Sequence, residues 1–216
     1  MEQHWALLKR NREWAEKVMA EDPEFFKRLV KKQDPEWFII GCSDSRMPLE
    51  VITGSKPGEI FVHRNVANVV NNNDLNFSAA LCFAVTRLKV KHIVVCGHTH
   101  CGGINAALSD NDFGIMNPWL KNIRDFYAEV YSSHGRLDKD EFTRKHVLKQ
   151  CANLLTYPEV QKSITSSGTP LIHGWLYHLE NGRIEDLEFD NASALKHARR
   201  FYPFSTQEDE KKNATD

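Results

Sequence analysis

Two short segments constrain this chain more than anything else in it. Trp37-Phe38-Ile39-Ile40 stops at Gly41-Cys42, and His92-Ile93-Val94-Val95-Cys96 stops at Gly97-His98. Short apolar runs closed by glycine read as strands buried on both faces, as in parallel sheets covered by helices. The rest of the pattern alternates accordingly. Residues 3 to 19 have the spacing of an amphipathic helix, and Asp22-Pro23-Glu24 opens a second helix over Phe25 to Lys32. Pro57-Gly58 marks a turn before a strand over Glu59 to His63, and Asp74 caps an apolar-rich helix through Leu88. Cys101-Gly102-Gly103 opens a helix through Leu108, Asn117-Pro118 and Tyr157-Pro158 begin others, and Gly168 is a stop. Leu171 to Leu179 and Arg183 to Phe189 flank Asn181-Gly182, a strong hairpin turn. The expected fold class is α/β, a mostly parallel central sheet with an antiparallel edge strand, flanked by helices. One domain is expected over residues 1–204, with a polar, disordered tail over 205–216.

Both buried strands end on residues that bind metals. Open α/β sheets place their ligands beyond the carboxyl ends of the strands, so Cys42, His98 and Cys101 can be brought together by the sheet. Two thiolates and an imidazole suit zinc, and three protein ligands leave the fourth position open, as in catalytic sites. Spacing alone leaves a second reading, because a lone buried cysteine at a strand end is commonly core. Asp44 and Arg46, two apart on an extended segment, can point the same way and pair. The alternative there is a surface salt bridge of little worth. Gly102 and Gly103 lie at a helix start, where free amides favour an anion or a thiolate, or simply form a tight turn.

GCSDSR at 41 to 46, FVHRNVAN at 61 to 68 and VVCGHTHCGG at 94 to 103 follow one another in an order and spacing that resembles the β-class carbonic anhydrases. The likeness runs from about the first helix to the hairpin near residue 188. It implies zinc held by Cys42, His98 and Cys101, and reversible hydration of CO2 to bicarbonate and a proton through attack by zinc-bound hydroxide. It gives Asp44 two roles: to accept the hydroxide's hydrogen while held by Arg46, or to act as the fourth metal ligand in a closed form. Gln33 falls where the family places an amide that hydrogen-bonds substrate, Phe61 and Val66 where it lines an apolar CO2 pocket, and for such a substrate the free amides at Gly102 and Gly103 would favour bicarbonate. The family forms homodimers that pair into homotetramers, and the N-terminal helix, with Trp5, Leu7, Leu8 and Trp14, is expected to extend onto a partner subunit. One position departs from the pattern. Members with a noncatalytic bicarbonate pocket carry a Trp three residues before the first Cys; Arg64 and Tyr177 match that pocket, but Ile39 stands in the place of the indole.

The same ligand set serves hydrolases of carbonyl sulfide or carbon disulfide, and a nonenzymatic zinc module is a further alternative that Asp44 and Arg46 disfavour. A formal net charge of −1 gives no footprint for nucleic acid or an anionic membrane. No apolar run approaches a membrane span of about 20 residues, and the acidic start argues against a leader, so the cytoplasm is expected. Five cysteines without secretory context argue against disulfides, and Cys82, Cys96 and Cys151 are assigned to packing. His63, His92, His100, His134, His146, His173, His178 and His197 read as surface or satisfied core histidines.

Overall fold

Each apolar run becomes a strand because neighbouring strands cover both of its edges. The computed structural model describes residues 2–204, with β1 at Trp37–Cys42, β2 at Ile60–Asn65, β3 at His92–His98, β4 at Leu171–His178 and β5 at Arg183–Asp186. The expected tail lies outside the described residues. The sheet order is β2-β1-β3-β4-β5, parallel throughout except for the antiparallel β4–β5 hairpin. This is the α/β architecture read from the sequence. Strand β3 runs two residues further than its apolar run, because His98 still pairs with Tyr177 of β4.

The helices are α1 (Glu2–Glu21), α2 (Phe25–Lys31), α3 (Leu49–Ile52), α4 (Leu75–Cys82), α5 (Gly102–Ala107), α6 (Asn117–His134), α7 (Lys139–Leu154), α8 (Pro158–Ser167) and α9 (Asn191–Phe201). Asp74 caps α4 as expected, its carboxylate accepting the amides of Asn76 and Phe77. Past Cys82 the helix widens into a π turn over Phe83–Leu88 and stops at Lys89, which is left-handed at φ 54°. Asp22 does not open α2. Its side chain accepts the Glu24 amide and closes a turn, so the helix begins at Phe25.

Residues through Asp34 form one compact unit and those from Pro35 another, where a single domain over 1–204 is expected from sequence. The first unit holds α1 and α2, with Trp14 edge-on to Phe26 at 5.7 Å and Trp5, Leu7 and Leu8 exposed. In the second unit the sheet is packed on both faces. Phe38 and Ile40 of β1 point into a cluster with Phe77, Leu81, Ile93, Val95 and Leu154. Ile39 and Cys42 point into the other, with Met47, Leu49, Val94, Ile104, Leu120 and Phe142. Cys96 and Cys151 are buried in these clusters, but Cys82 is exposed. The packing role expected of Cys82 is therefore corrected: it sits on the solvent side of α4, with its thiol 3.8 Å from the Thr86 hydroxyl. Among the described residues no helix is long and apolar enough to cross a membrane.

Helix α7 lies tight against β3 at the position before His98. A Cβ on Gly97 would come within 2.5 Å of Val147 Cγ2. Gly97→Ala should accordingly lower stability by about 1–3 kcal/mol through overpacking. Denaturant unfolding of the two proteins measures this, and equal midpoints would mean that α7 yields without cost.

Candidate metal centre

Strand β1 lies beside β3 with Gly41 opposite Cys96, so the chain leaving the sheet at Cys42 emerges next to His98. Cys101, the residue before α5, closes the group. The Cys42 and Cys101 sulfurs and a His98 nitrogen all lie within 4.8 Å of one another, and all three side chains are buried. The sulfurs are 3.9 Å apart. Two sulfurs about 2.3 Å from one tetrahedral zinc stand about 3.8 Å apart, so the pair already has the spacing the ion requires.

The third ligand is aimed by its own backbone. His98 Nδ1–H donates to the Thr99 carbonyl at 2.8 Å, which leaves the Nε2 lone pair facing the sulfurs. Nε2 is buried and has no hydrogen-bond partner. A bare buried nitrogen beside two thiols is a defect in a protein core and a virtue in a metal site. The Cys42 thiol is pushed down, first by the hydrogen bond from the Cys101 thiol, while that same bond and burial raise Cys101. Metal binding must therefore displace a proton at Cys101, and affinity falls as pH falls.

A fourth element of the site was not foreseen from sequence. The segment after β2 crosses beneath Cys42, and the Ala67 amide donates to its sulfur at 3.4 Å. To do so Ala67 and Asn68 adopt left-handed φ values of 63° and 47°, unfavourable for residues with a Cβ and sustained only by surrounding contacts. Those contacts come from α6 and α7. Trp119 Nε1–H donates to the Val66 carbonyl at 2.9 Å, His146 Nε2 meets the Ala67 carbonyl at 3.0 Å, and Gln150 Oε1 accepts the Val70 amide at 2.9 Å. Burial pushes the His146 pKa down to about 4, so its ring is neutral and donates from Nε2 alone. Gly103 completes the packing, because a Cβ there would come within 2.8 Å of Val66 and 3.0 Å of Ala67.

Asp44 lies beside the three-residue group. Its Oδ1 accepts both the Arg46 amide and Arg46 Nε–H at 2.9 Å, and Oδ2 accepts Arg46 Nη2–H at 2.7 Å. Oδ2 is also 3.8 Å from His98 Nε2. The Arg46 hydrogen bonds hold the Asp44 carboxyl well below the usual carboxylate range. Gly102 is exposed, and a side chain there would meet nothing within 4 Å. Gln33 is exposed in the irregular segment after α2, within the N-terminal unit. Phe61 packs with Phe38 and Phe83, in the cluster on the face away from the thiols, whereas Val66 packs on the thiol side.

The remaining histidines divide. His100 is exposed and stands outside the ligand group, His134 and His197 are exposed, and His92 meets His173 at 3.1 Å. His63 departs from the expectation of a satisfied core histidine. It is buried edge-on to Phe77 with Nε2 unpartnered, because the apolar side of β2 offers it no acceptor.

The carbonic anhydrase family model matches residues 37–184. A carbonic anhydrase of Emericella nidulans is 43% identical over 204 residues, 92% of this chain and 90% of that one. A β-carbonic anhydrase of Aspergillus fumigatus, known from its crystal structure, superimposes with a TM-score of 0.87 at 36% identity, covering 94% of this chain and 100% of its own. A second such structure, from Sordaria macrospora and described as tetrameric, gives a TM-score of 0.80 at 36% identity over 87% of this chain and 98% of that one. The chain belongs to the β-carbonic anhydrase family. The reaction of that family is zinc-dependent, reversible hydration of CO2.

Within this β-carbonic anhydrase, Arg64 is occupied locally. Its Nε–H donates to the Cys42 carbonyl at 3.0 Å and Nη2–H to the Asp44 carbonyl at 2.7 Å, which ties the end of β1 to β2. Ile39 is buried and offers no indole. Bicarbonate inhibition through the Arg64 and Tyr177 region should therefore be weak or absent. Crystals soaked in bicarbonate check this; an ordered anion there, with inhibition relieved in Tyr177→Phe, would contradict it.

Proposed function

We propose that Cys42, His98 and Cys101 hold one zinc ion and that Asp44 and Arg46 aim the attack on CO2 beside it. The chain is a zinc-dependent carbonate dehydratase. The observation that supports the metal assignment most strongly is the 3.9 Å sulfur pair facing an unpartnered imidazole nitrogen. When bound, zinc supplies Lewis acidity that lowers the pKa of a water molecule, so that hydroxide is available as a nucleophile. Asp44 Oδ2, close to His98 Nε2, accepts the nucleophile's hydrogen and turns its lone pair toward carbon. Arg46 occupies the other lone pairs and fixes the carboxylate plane by its fork. In a closed form Asp44 would part from Arg46 and could itself serve as a ligand to the ion. Gly102, exposed next to Cys101, leaves room for bicarbonate.

The Cys42 and Cys101 thiolates offset the charge of the ion, so water is acidified less than in a three-histidine site. Stopped-flow CO2 hydration should be weak near neutral pH and rise to a plateau in alkali; a flat profile would contradict this. Protonation of Asp44 is not the cause of the loss. A carboxyl whose pKa is depressed keeps its ion pair above its ordinary pKa and loses it only as pH falls through the lowered value, far below this range.

For assembly we extend a homodimer or homotetramer to this chain. Exposed Trp5, Leu7, Leu8 and Trp14 on α1 offer apolar surface for a partner subunit to cover. A cytoplasmic, reducing setting suits two thiolate ligands and free cysteines.

A further inference from the structure

His98 is oriented by a single hydrogen bond to the Thr99 carbonyl, so whatever fixes Thr99 also fixes the nitrogen that faces the metal. Thr99 is itself held on three sides. Its amide donates to the Tyr177 carbonyl at 3.0 Å, its hydroxyl oxygen accepts the Leu179 amide at 3.0 Å, and its hydroxyl hydrogen goes to Glu180 Oε2 at 2.8 Å. The Thr99 side chain is buried, so its hydroxyl relies on these protein partners.

Glu180 is anchored in turn. Its other oxygen meets His178 Nδ1 at 3.1 Å, and His178 Nε2 meets Glu185 Oε2 at 2.8 Å. Arg144 of α7 closes the row with a fork on Glu185 at 2.8 and 3.2 Å. A carboxylate on each ring nitrogen requires a doubly protonated His178, so charges alternate along Glu180, His178, Glu185 and Arg144. The row runs unbroken from a metal ligand across the β4–β5 hairpin to α7.

We propose that Thr99 and Glu180 are positioning residues for the metal: the hairpin network locks the loop after β3 so that His98 Nε2 stays aimed at the ion. This rests on the zinc assignment to Cys42, His98 and Cys101. Thr99→Val keeps the shape of the side chain but removes the hydroxyl, leaving the Leu179 amide without its acceptor and Glu180 without its tie. Thr99→Ser keeps both bonds.

The test is transfer of zinc from the loaded, full-length protein to an excess of a chelating dye, followed by absorbance. Thr99→Val is expected to release zinc about 10-fold faster than the parent, Glu180→Ala also faster, and Thr99→Ser at close to the parental rate. A merely structural hydroxyl would change the unfolding midpoint without changing the rate of zinc release. Glu180→Ala alters only an exposed side chain, so it decides the matter even where Thr99→Val does not fold. A parental rate in Glu180→Ala overturns the proposal, as does release from Thr99→Ser as fast as from Thr99→Val. A parent that never holds zinc instead overturns the metal assignment on which the proposal stands.

Discussion

Cys101→Ala is expected to retain little of the parent's zinc and to lose CO2 hydration at least about 100-fold. Protein zinc sites bind with roughly 10–16 kcal/mol of apparent free energy, so one ligand is worth about 3 kcal/mol, or about two decades of affinity. This site stands to lose more than that share. The Cys101 thiol is the largest influence lowering the Cys42 pKa, so its removal also makes Cys42 a poorer thiolate. Cys42→Ala and His98→Ala should behave alike. Cys96→Ala is the contrast: burial pushes that thiol up to about 12, so it stays protonated, and its loss should leave the zinc in place. Metal analysis of the purified variants reads the outcome directly. Normal zinc in Cys101→Ala, or zinc loss in Cys96→Ala with Cys101→Ala unaffected, would refute the ligand set.

Asp44→Asn separates orientation from binding. It should keep its zinc and lose turnover by about 100-fold, the scale of a reacting group misplaced by an ångström. The reason lies in the Arg46 fork. Both Asp44 oxygens accept from Arg46, and an amide replaces one acceptor with a donor that faces another donor. The side chain must then rotate or part from Arg46, and the acceptor near His98 Nε2 moves with it. Arg46→Ala should be impaired in the same sense. The loss should appear in kcat as well as kcat/KM, because the lost contact belongs to the transition state. Parental turnover in Asp44→Asn at every pH would remove Asp44 from the mechanism.

Strands β1 and β3 were legible because burial on both faces wrote them as uninterrupted apolar runs, and Cys42 and His98 because they stand where those strands end. The Asn-Gly hairpin and the Pro118 and Pro158 helix starts were equally plain. Helix α7 was not. Its buried side includes Thr143, His146 and Gln150, which break the apolar period that sequence reading depends on. Two of them, His146 and Gln150, hold the Ala67–Val70 segment, and its Ala67 amide serves Cys42. The support of the metal centre was therefore hidden for the same reason as the helix that provides it. Asn68, buried with a positive φ, gives one clue in hindsight, since asparagine tolerates that conformation better than most residues. Helix α9 follows a hairpin whose second strand ends at Asp186, short of the Phe189 that the sequence pattern suggests. The Thr99 and Glu180 pairing spans two motifs far apart in sequence, and only the β3–β4 register brings them together.

On the proposed ligand set, one zinc per chain, held by Cys42, His98 and Cys101, makes this protein a CO2 hydratase. The measurement that tests it most directly is stopped-flow CO2 hydration at alkaline pH while zinc is titrated into metal-free protein. The rate should rise linearly from the uncatalysed baseline and level off at one equivalent per chain. No rise, or continued rise well beyond one equivalent, would contradict the account.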